Sequence, residues 1–285
     1  MSHASFPEFA WLWAQRQGQS FPPLHDRIAR WLDRSWQDDQ RQLLLMAFRG
    51  SGKSTLVGQF AAWLLMQDPN LRLVVLAADR PLASKMVRNV KRLIEAHPLT
   101  QGLKPAHPDQ WAADRFTITR SLELRDPSML ASGIRTNLTG TRAEVVICDD
   151  VEVPNTCDSA PKRADLRERL AEIDYLLVPG GLQLYVGTPH TWYSIYAAEP
   201  RREIGESAPF LAGFQRLVLP VLDPAGRRPA AVLVLVYARP ALGHVVLLTK
   251  RTSHLEHHRG EVSLPGGAYH PAEDPDLLHT ALRET

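Results

Sequence analysis

Between the apolar run Gln42-Leu43-Leu44-Leu45-Met46 and an apolar-periodic stretch from Thr55 to Leu65 lies Ala47-Phe48-Arg49-Gly50-Ser51-Gly52-Lys53-Ser54. The first run reads as a buried strand and the second as a helix, so the glycines fall in the turn that joins them. Glycines let successive backbone N–H groups curl around an anion, and the amino end of the following helix adds its positive dipole. Gly50, Ser51, Gly52, Lys53, Ser54 and Thr55 then form a phosphate-binding loop, with Lys53 reaching the outer phosphates of a nucleotide and the Ser54 hydroxyl ligating Mg²⁺. The usual spacing asks for a glycine where Ala47 stands, so the pattern is a relaxed one. An ordinary glycine-rich turn from strand to helix is the competing reading.

The residues downstream extend this start into a sheet. Leu71 to Ala78 is a second buried strand, and strand, helix, strand with a right-handed crossover implies a parallel sheet covered on both faces. With 285 residues, 44% hydrophobic and 22% charged, the chain is globular and long enough for one large or two ordinary domains. A net charge of +2 is too small to argue for a polyanion partner by itself. Cys148 and Cys157 match no metal or redox spacing, and Cys148, inside an apolar run, reads as a packed core thiol. Neither a secretory segment nor an apolar span of about 18 residues is present, so a soluble, reducing compartment without membrane contact is expected.

The expected fold class is therefore α/β, a mainly parallel sheet flanked by helices. Phe6 to Arg16 reads as a short helix, and for Phe21, Leu24 and His25, just upstream of the loop, stacking on a nucleotide base and plain core packing are both open. A helix from Pro81 to Glu95 places Lys85, Arg88 and Arg92 on one face, which fits either a nucleic-acid backbone or solvent. Residues 98–114 read as a loop, followed by strands from Phe116 to Leu124 and from Met129 to Ile134.

Next comes Glu144-Val145-Val146-Ile147-Cys148-Asp149-Asp150-Val151-Glu152, a strand ending in acids at the carboxyl edge of the sheet, beside the phosphate loop. Asp149 is assigned to the Mg²⁺ shell and Asp150 to polarising water, with Glu152 competing for the second role. Adjacent strand residues face opposite ways, so both aspartates share a site only if the strand ends between them. A helix from Pro161 to Leu177 and a strand from Leu182 to His190 follow, and Thr188 at that strand's end is placed to sense a γ-phosphate.

Taken together, Phe48 to Ser54, Leu138-Thr139-Gly140-Thr141-Arg142-Ala143, Asp149 to Asn155 and Gly187-Thr188-Pro189 resemble the large terminase subunit of short-tailed bacteriophages, over roughly Leu24 to Leu222. The resemblance implies a P-loop NTPase that uses ATP and Mg²⁺ to thread double-stranded DNA into a capsid. It further implies docking on a portal ring, help from a small terminase subunit, a ring-shaped homo-oligomer when docked, and residence in the host cytoplasm. By the same resemblance Arg49 contacts the γ-phosphate in cis and Gly187-Thr188-Pro189 is the coupling motif. The family continues into an RNase H-like nuclease, and the expectation here is a motor without it.

Past Asp223-Pro224 the character changes. Apolar strands at Ala230 to Tyr237 and His244 to Thr249 precede Gly260-Glu261-Val262-Ser263-Leu264-Pro265-Gly266-Gly267 and a final Arg283-Glu284-Thr285, which together resemble the start of a coenzyme A pyrophosphatase-type Nudix hydrolase. That resemblance implies a diphosphate-cleaving Mg²⁺ site to which Gly267, Glu284 and Glu273 or Asp274 would belong. The main paired glutamates are not reached, so a partial α+β fragment without metal catalysis is expected. Two domains follow from this reading, 1–226 terminase-like and 227–285 Nudix-like.

Overall fold

The computed structural model describes residues 4–107, 110–136, 138, 140–220, 230–232, 236–239, 243–246, 249–250, 262–263 and 266–268. The chain divides into two compact units, Met1–Val221 and Leu222–Thr285.

In the first unit, α1 (Phe6–Arg16) begins at a reciprocal cap in which Glu8 Oε2 accepts from the Ser5 N–H at 2.8 Å. Then come α2 (Pro23–Gln37), β1 (Gln42–Ala47), α3 (Lys53–Gln67), β2 (Leu73–Ala77) and α4 (Arg80–Ala96). After them follow β3 (Arg115–Phe116), β4 (Met129–Gly133), β5 (Ala143–Asp149), α5 (Pro154–Cys157), α6 (Ala160–Ala171), β6 (Leu177–Gly187) and β7 (Gln215–Leu219). The strands form one seven-stranded sheet in the order β3-β4-β2-β5-β6-β1-β7, parallel throughout except for the β3–β4 pair. This is the α/β architecture that the opening turn demands.

Alternation along the strands divides the core into two layers. Leu43, Leu45, Val75, Ile147 and Leu184 join the layer that contains α3 and the buried residues of α1, α2 and α4, whereas Leu44, Val74, Val146, Cys148 and Tyr185 pack with Leu166 and Leu170 of α6. Every residue of α3 from Leu56 to Leu65 is buried, so the helix that starts at the phosphate loop is clamped on all sides. Each fully buried large apolar side chain here, such as Phe60, stabilises by about 1.5–3 kcal/mol.

Two expected elements differ. The strand expected from Phe116 to Leu124 shrinks to Arg115–Phe116. Beyond it the backbone turns around Arg120, whose guanidinium donates to the carbonyls of Leu124 and Asp126, and the Leu122 N–H donates to the Asn70 side chain. Side chains thus take the backbone groups that a sheet ladder would need. The helix expected to reach Leu177 ends at Ala171, followed by a single 3-10 turn, Glu172–Tyr175, and Leu177 instead opens β6. Pro179-Gly180-Gly181 cannot continue a helix, and pairing with β5 is what remains. The edge strand β7 was not anticipated, although Gln215-Arg216-Leu217-Val218-Leu219 alternates as a strand should.

Among the described residues of the second unit there are three antiparallel pairs: β8 (Ala230–Val232) with β13 (Gly266–Ala268), β9 (Val236–Arg239) with β10 (Gly243–Val246), and β11 (Thr249–Lys250) with β12 (Val262–Ser263). Gly267 falls in β13. Glu273, Asp274 and Glu284 lie outside the described residues, as does Thr139.

Candidate phosphate-binding site

The turn from β1 to α3 is built on two left-handed glycines, Gly50 at φ 81° and Gly52 at φ 78°, conformations that cost glycine nothing and other residues about 1–2 kcal/mol. Gly52 has a second reason to lack a side chain, since a Cβ there would lie 2.7 Å from His25 Nε2. His25 Nε2 donates to the Ser51 carbonyl at 2.9 Å, tying the loop to the start of α2. Ala47, where a glycine was missed, is the last residue of β1 and does not have a positive φ, so alanine fits without strain.

Lys53 is 6% exposed and its Nζ donates to Thr188 Oγ1 at 3.2 Å, while that hydroxyl donates to the Ala47 carbonyl at 2.9 Å. The lysine from the β1 side and the threonine that ends β6 therefore meet, as the strand order requires: β6 lies between β1 and the acid-bearing β5. Next to them, Ser54 Oγ donates to Asp149 Oδ1 at 2.8 Å.

The Asp149 carboxyl is pushed up to about 7, chiefly by burial and further by Asp150, against the opposing pull of the Ser54 hydroxyl and Lys53. A buried carboxylate beside a hydroxyl, with charge left to neutralise, suits a hard divalent cation. The pair fits Mg²⁺ in donor chemistry.

β5 ends at Asp149, and Asp150 takes φ 46° with its N–H donating to the Val186 carbonyl at 2.9 Å. That left-handed residue breaks the alternation, so both aspartates turn toward the loop. Asp150 lines a cavity of about 330 Å³ together with Arg49, Gly50, Ser51, Gly52, Lys53, Ser54, Thr55, Leu82, Val153, Thr188 and His190. Its carboxylate has no hydrogen-bond or ion-pair partner among the described residues, and the buried Ser51 hydroxyl also has none.

Glu152 stands apart from that group. It is 1% exposed, and its two oxygens accept from the backbone N–H groups of His190 at 2.9 Å and Ile195 at 2.8 Å. Both oxygens are thus engaged in holding the turn after β6. His190, which the sequence alone did not mark as a site residue, brings its Nε2 within 3.3 Å of Arg49 Nη2. Guanidinium only donates, so His190 accepts at Nε2 and carries its proton on Nδ1. Gly187 completes the turn, because a Cβ there would overlap the Tyr196 ring.

Other candidates fall elsewhere. Phe21 and His25 face each other edge-on at 6.1 Å, and Phe21 and Leu24 both pack against the core. Lys85, Arg88 and Arg92 are exposed on α4 and pair with no acid among the described residues. Gly140, Thr141 and Arg142 border a separate cavity of about 660 Å³ with Arg135 and Arg169, not the phosphate site. Cys148 is fully buried, and burial drives its thiol far above the usual range, as a core residue.

No protein-family model matches the chain. Among curated proteins it is similar to the terminase large subunit of Enterobacteria phage T3, with 30% identity over 191 residues, which cover 66% of this chain and 31% of that protein. It is also similar to an uncharacterized Nudix hydrolase NudL of Enterobacter sp. strain 638, with 46% identity over 77 residues, covering 26% of this chain and 38% of that one. Both resemblances stated from the motifs are thus found, each over about a third of the relative's length. Among solved structures, S. cerevisiae Dbp5 in complex with Nup159, Gle1, IP6 and ADP superposes with a TM-score of 0.47 at 13% identity, over 77% of this chain and 53% of that one. No helix among the described residues is long and apolar enough to cross a membrane.

Proposed function

We propose that the first unit is the ATP-hydrolysing motor of a viral DNA-packaging terminase. Similarity to a terminase large subunit supports a packaging role, and the observation that carries the ATPase reading is the Ser54–Asp149 contact beside the Lys53–Thr188 contact. An amine, a hydroxyl and a carboxylate from three strand ends converge on one cavity of about 330 Å³, large enough for a triphosphate tail. Loop N–H groups and Lys53 bind the phosphates, and Ser54 and Asp149 hold Mg²⁺, which neutralises charge on the transferred phosphoryl group when bound.

Asp150, unpaired and facing the cavity, orients the attacking water and takes its proton. Glu152 acts at one remove by fixing the turn that presents Thr188 and His190. Arg49 is within reach of the outer phosphate, with His190 holding its guanidinium until nucleotide arrives. Thr188, bonded to Lys53, registers whether the lysine is engaged. From the same cavity Leu82 leads into α4, whose unpaired Lys85, Arg88 and Arg92 meet the phosphate backbone of double-stranded DNA. The portal ring, a small terminase subunit and a ring of copies in the host cytoplasm complete the proposal.

Lys53→Ala removes the only amine among the described residues that line the cavity, and DNA-stimulated phosphate release should fall to background. Normal turnover in that variant would defeat the assignment. A second reading applies to the carboxyl-terminal segment, favoured by the 46% identity to a Nudix hydrolase: cleavage of coenzyme A or nucleoside diphosphate linkages. Release of nucleotide products from coenzyme A, abolished by Glu284→Gln, would establish it; none is expected.

A further inference from the structure

Among the described residues, six buried side-chain polar atoms have no hydrogen-bond partner, and three of them gather on one short segment. They are the hydroxyls of Thr191 and Tyr196 and Nε of Arg167, whose Nη2 donates to the Tyr193 carbonyl at 3.4 Å. That segment follows β6 and Thr188 in the chain. Its backbone is held from two sides: Glu152 accepts from the His190 and Ile195 N–H groups, and Arg216 of β7 donates to the carbonyls of Tyr196 and Ala197, each at 3.0 Å. Tyr196 is 1% exposed, with its phenol packed so closely on Gly187 that a Cβ there would overlap it. A buried hydroxyl left unpaired is a cost that phenylalanine at this position would not incur. Burial first, and then the charge of Glu152, push that hydroxyl well above the ordinary range of a phenol, so it keeps its proton and remains a donor.

We propose that Tyr196 is a positioning residue for the turn that carries Thr188, its hydroxyl donating to the Glu152 carboxylate once nucleotide is bound. The inference rests on the nucleotide reading of Lys53 and Ser54. Here the Lys53 amine is spent on Thr188. Phosphate oxygens compete for that amine and release the threonine, and with it the turn that begins at Gly187. The Tyr196 ring, lodged against Gly187, moves with the turn. Glu152 is the acceptor because it already holds the neighbouring Ile195, and each of its oxygens takes only one N–H, which leaves lone pairs on a carboxylate with about four. Tyr196 thereby gives the nucleotide-bound turn a contact that the resting turn lacks, which is what a shift between two arrangements requires.

The test compares Tyr196→Phe with the native full chain in two measurements, urea unfolding without nucleotide and equilibrium binding of a non-hydrolysable ATP analogue with Mg²⁺. Without nucleotide the variant should be at least as stable as the native chain, because it loses only an unpaired hydroxyl. The analogue should bind about ten- to hundredfold more weakly, the effect of one hydrogen bond to a charged group. A ring that merely fills space would leave analogue binding unchanged, and a hydroxyl that already serves the resting fold would make the variant less stable. Either outcome, an unfolded variant included, would overturn the assignment. Binding lost in Lys53→Ala but intact in Tyr196→Phe would leave the phosphate site standing without it, and absence of analogue binding by the native chain would sink both.

Discussion

Asp150 and Glu152 sit two positions apart past the same strand, yet the fold uses them in opposite ways. Asp150 faces an open cavity with its carboxylate unspent, while Glu152 is sealed at 1% exposure with each oxygen on a backbone N–H. The α4 helix repeats the contrast with cations: Lys91 donates to the carbonyls of Trp111 and Ala112 at 2.8 and 3.0 Å, but Lys85, Arg88 and Arg92 have no acid partner among the described residues. A charged group consumed by the fold serves stability. One left unconsumed beside a cavity or along an exposed face is free to meet a ligand.

The strongest way to break the contrast is at Asp150. Asp150→Asn should keep ATP affinity within a few-fold and lower turnover by about 10²–10⁴, the usual worth of a positioned base. Rapid-quench measurement of the hydrolysis step separates this from a binding defect. Glu152→Gln should behave differently: an amide can accept with only one of its two groups, leaving one buried N–H unpaired at a cost of about 1–3 kcal/mol. Urea unfolding should register that loss. If instead Glu152→Gln matched the native stability and lost turnover as Asp150→Asn does, the two roles would have to be exchanged.

The smallest expected effect is on the outer face of α4. Replacing Lys85, Arg88 and Arg92 together by Ala should leave basal hydrolysis unchanged and weaken DNA stimulation. The slope of log affinity against log salt should fall by up to about three, one for each DNA phosphate that no longer has a cation beside it. The same substitution at Lys91 should act mainly on stability. An unchanged salt slope in the triple variant would reduce the stripe to solvated surface.

Much of the sheet was legible in the sequence because a strand buried on both faces must be continuously apolar, as in Leu43-Leu44-Leu45 and Val145-Val146-Ile147-Cys148. The turn from β1 to α3 was legible because few sequences other than Gly-x-Gly-Lys-Ser supply both left-handed glycines and an amine. Edge and boundary features were not. Whether residues 116–124 pair or loop depended on distant partners, Asn70 among them, and the end of α6 depended on β5 offering an edge to Leu177.

The sequence by itself determined which groups are available: a left-handed glycine turn, a lysine, a hydroxyl and a cluster of acids, each at a strand or helix end fixed by local hydrophobic pattern. Only the tertiary structure decided their employment. Inserting β6 between β1 and β5 brought Thr188 to Lys53, and the left-handed turn at Asp150 put that carboxylate in the cavity and left Glu152 to the backbone. The same packing buried Tyr196 with its hydroxyl unmatched. Hydrophobic periodicity is local and survives in one dimension, whereas whether a polar atom finds a partner depends on neighbours that only the folded chain brings near.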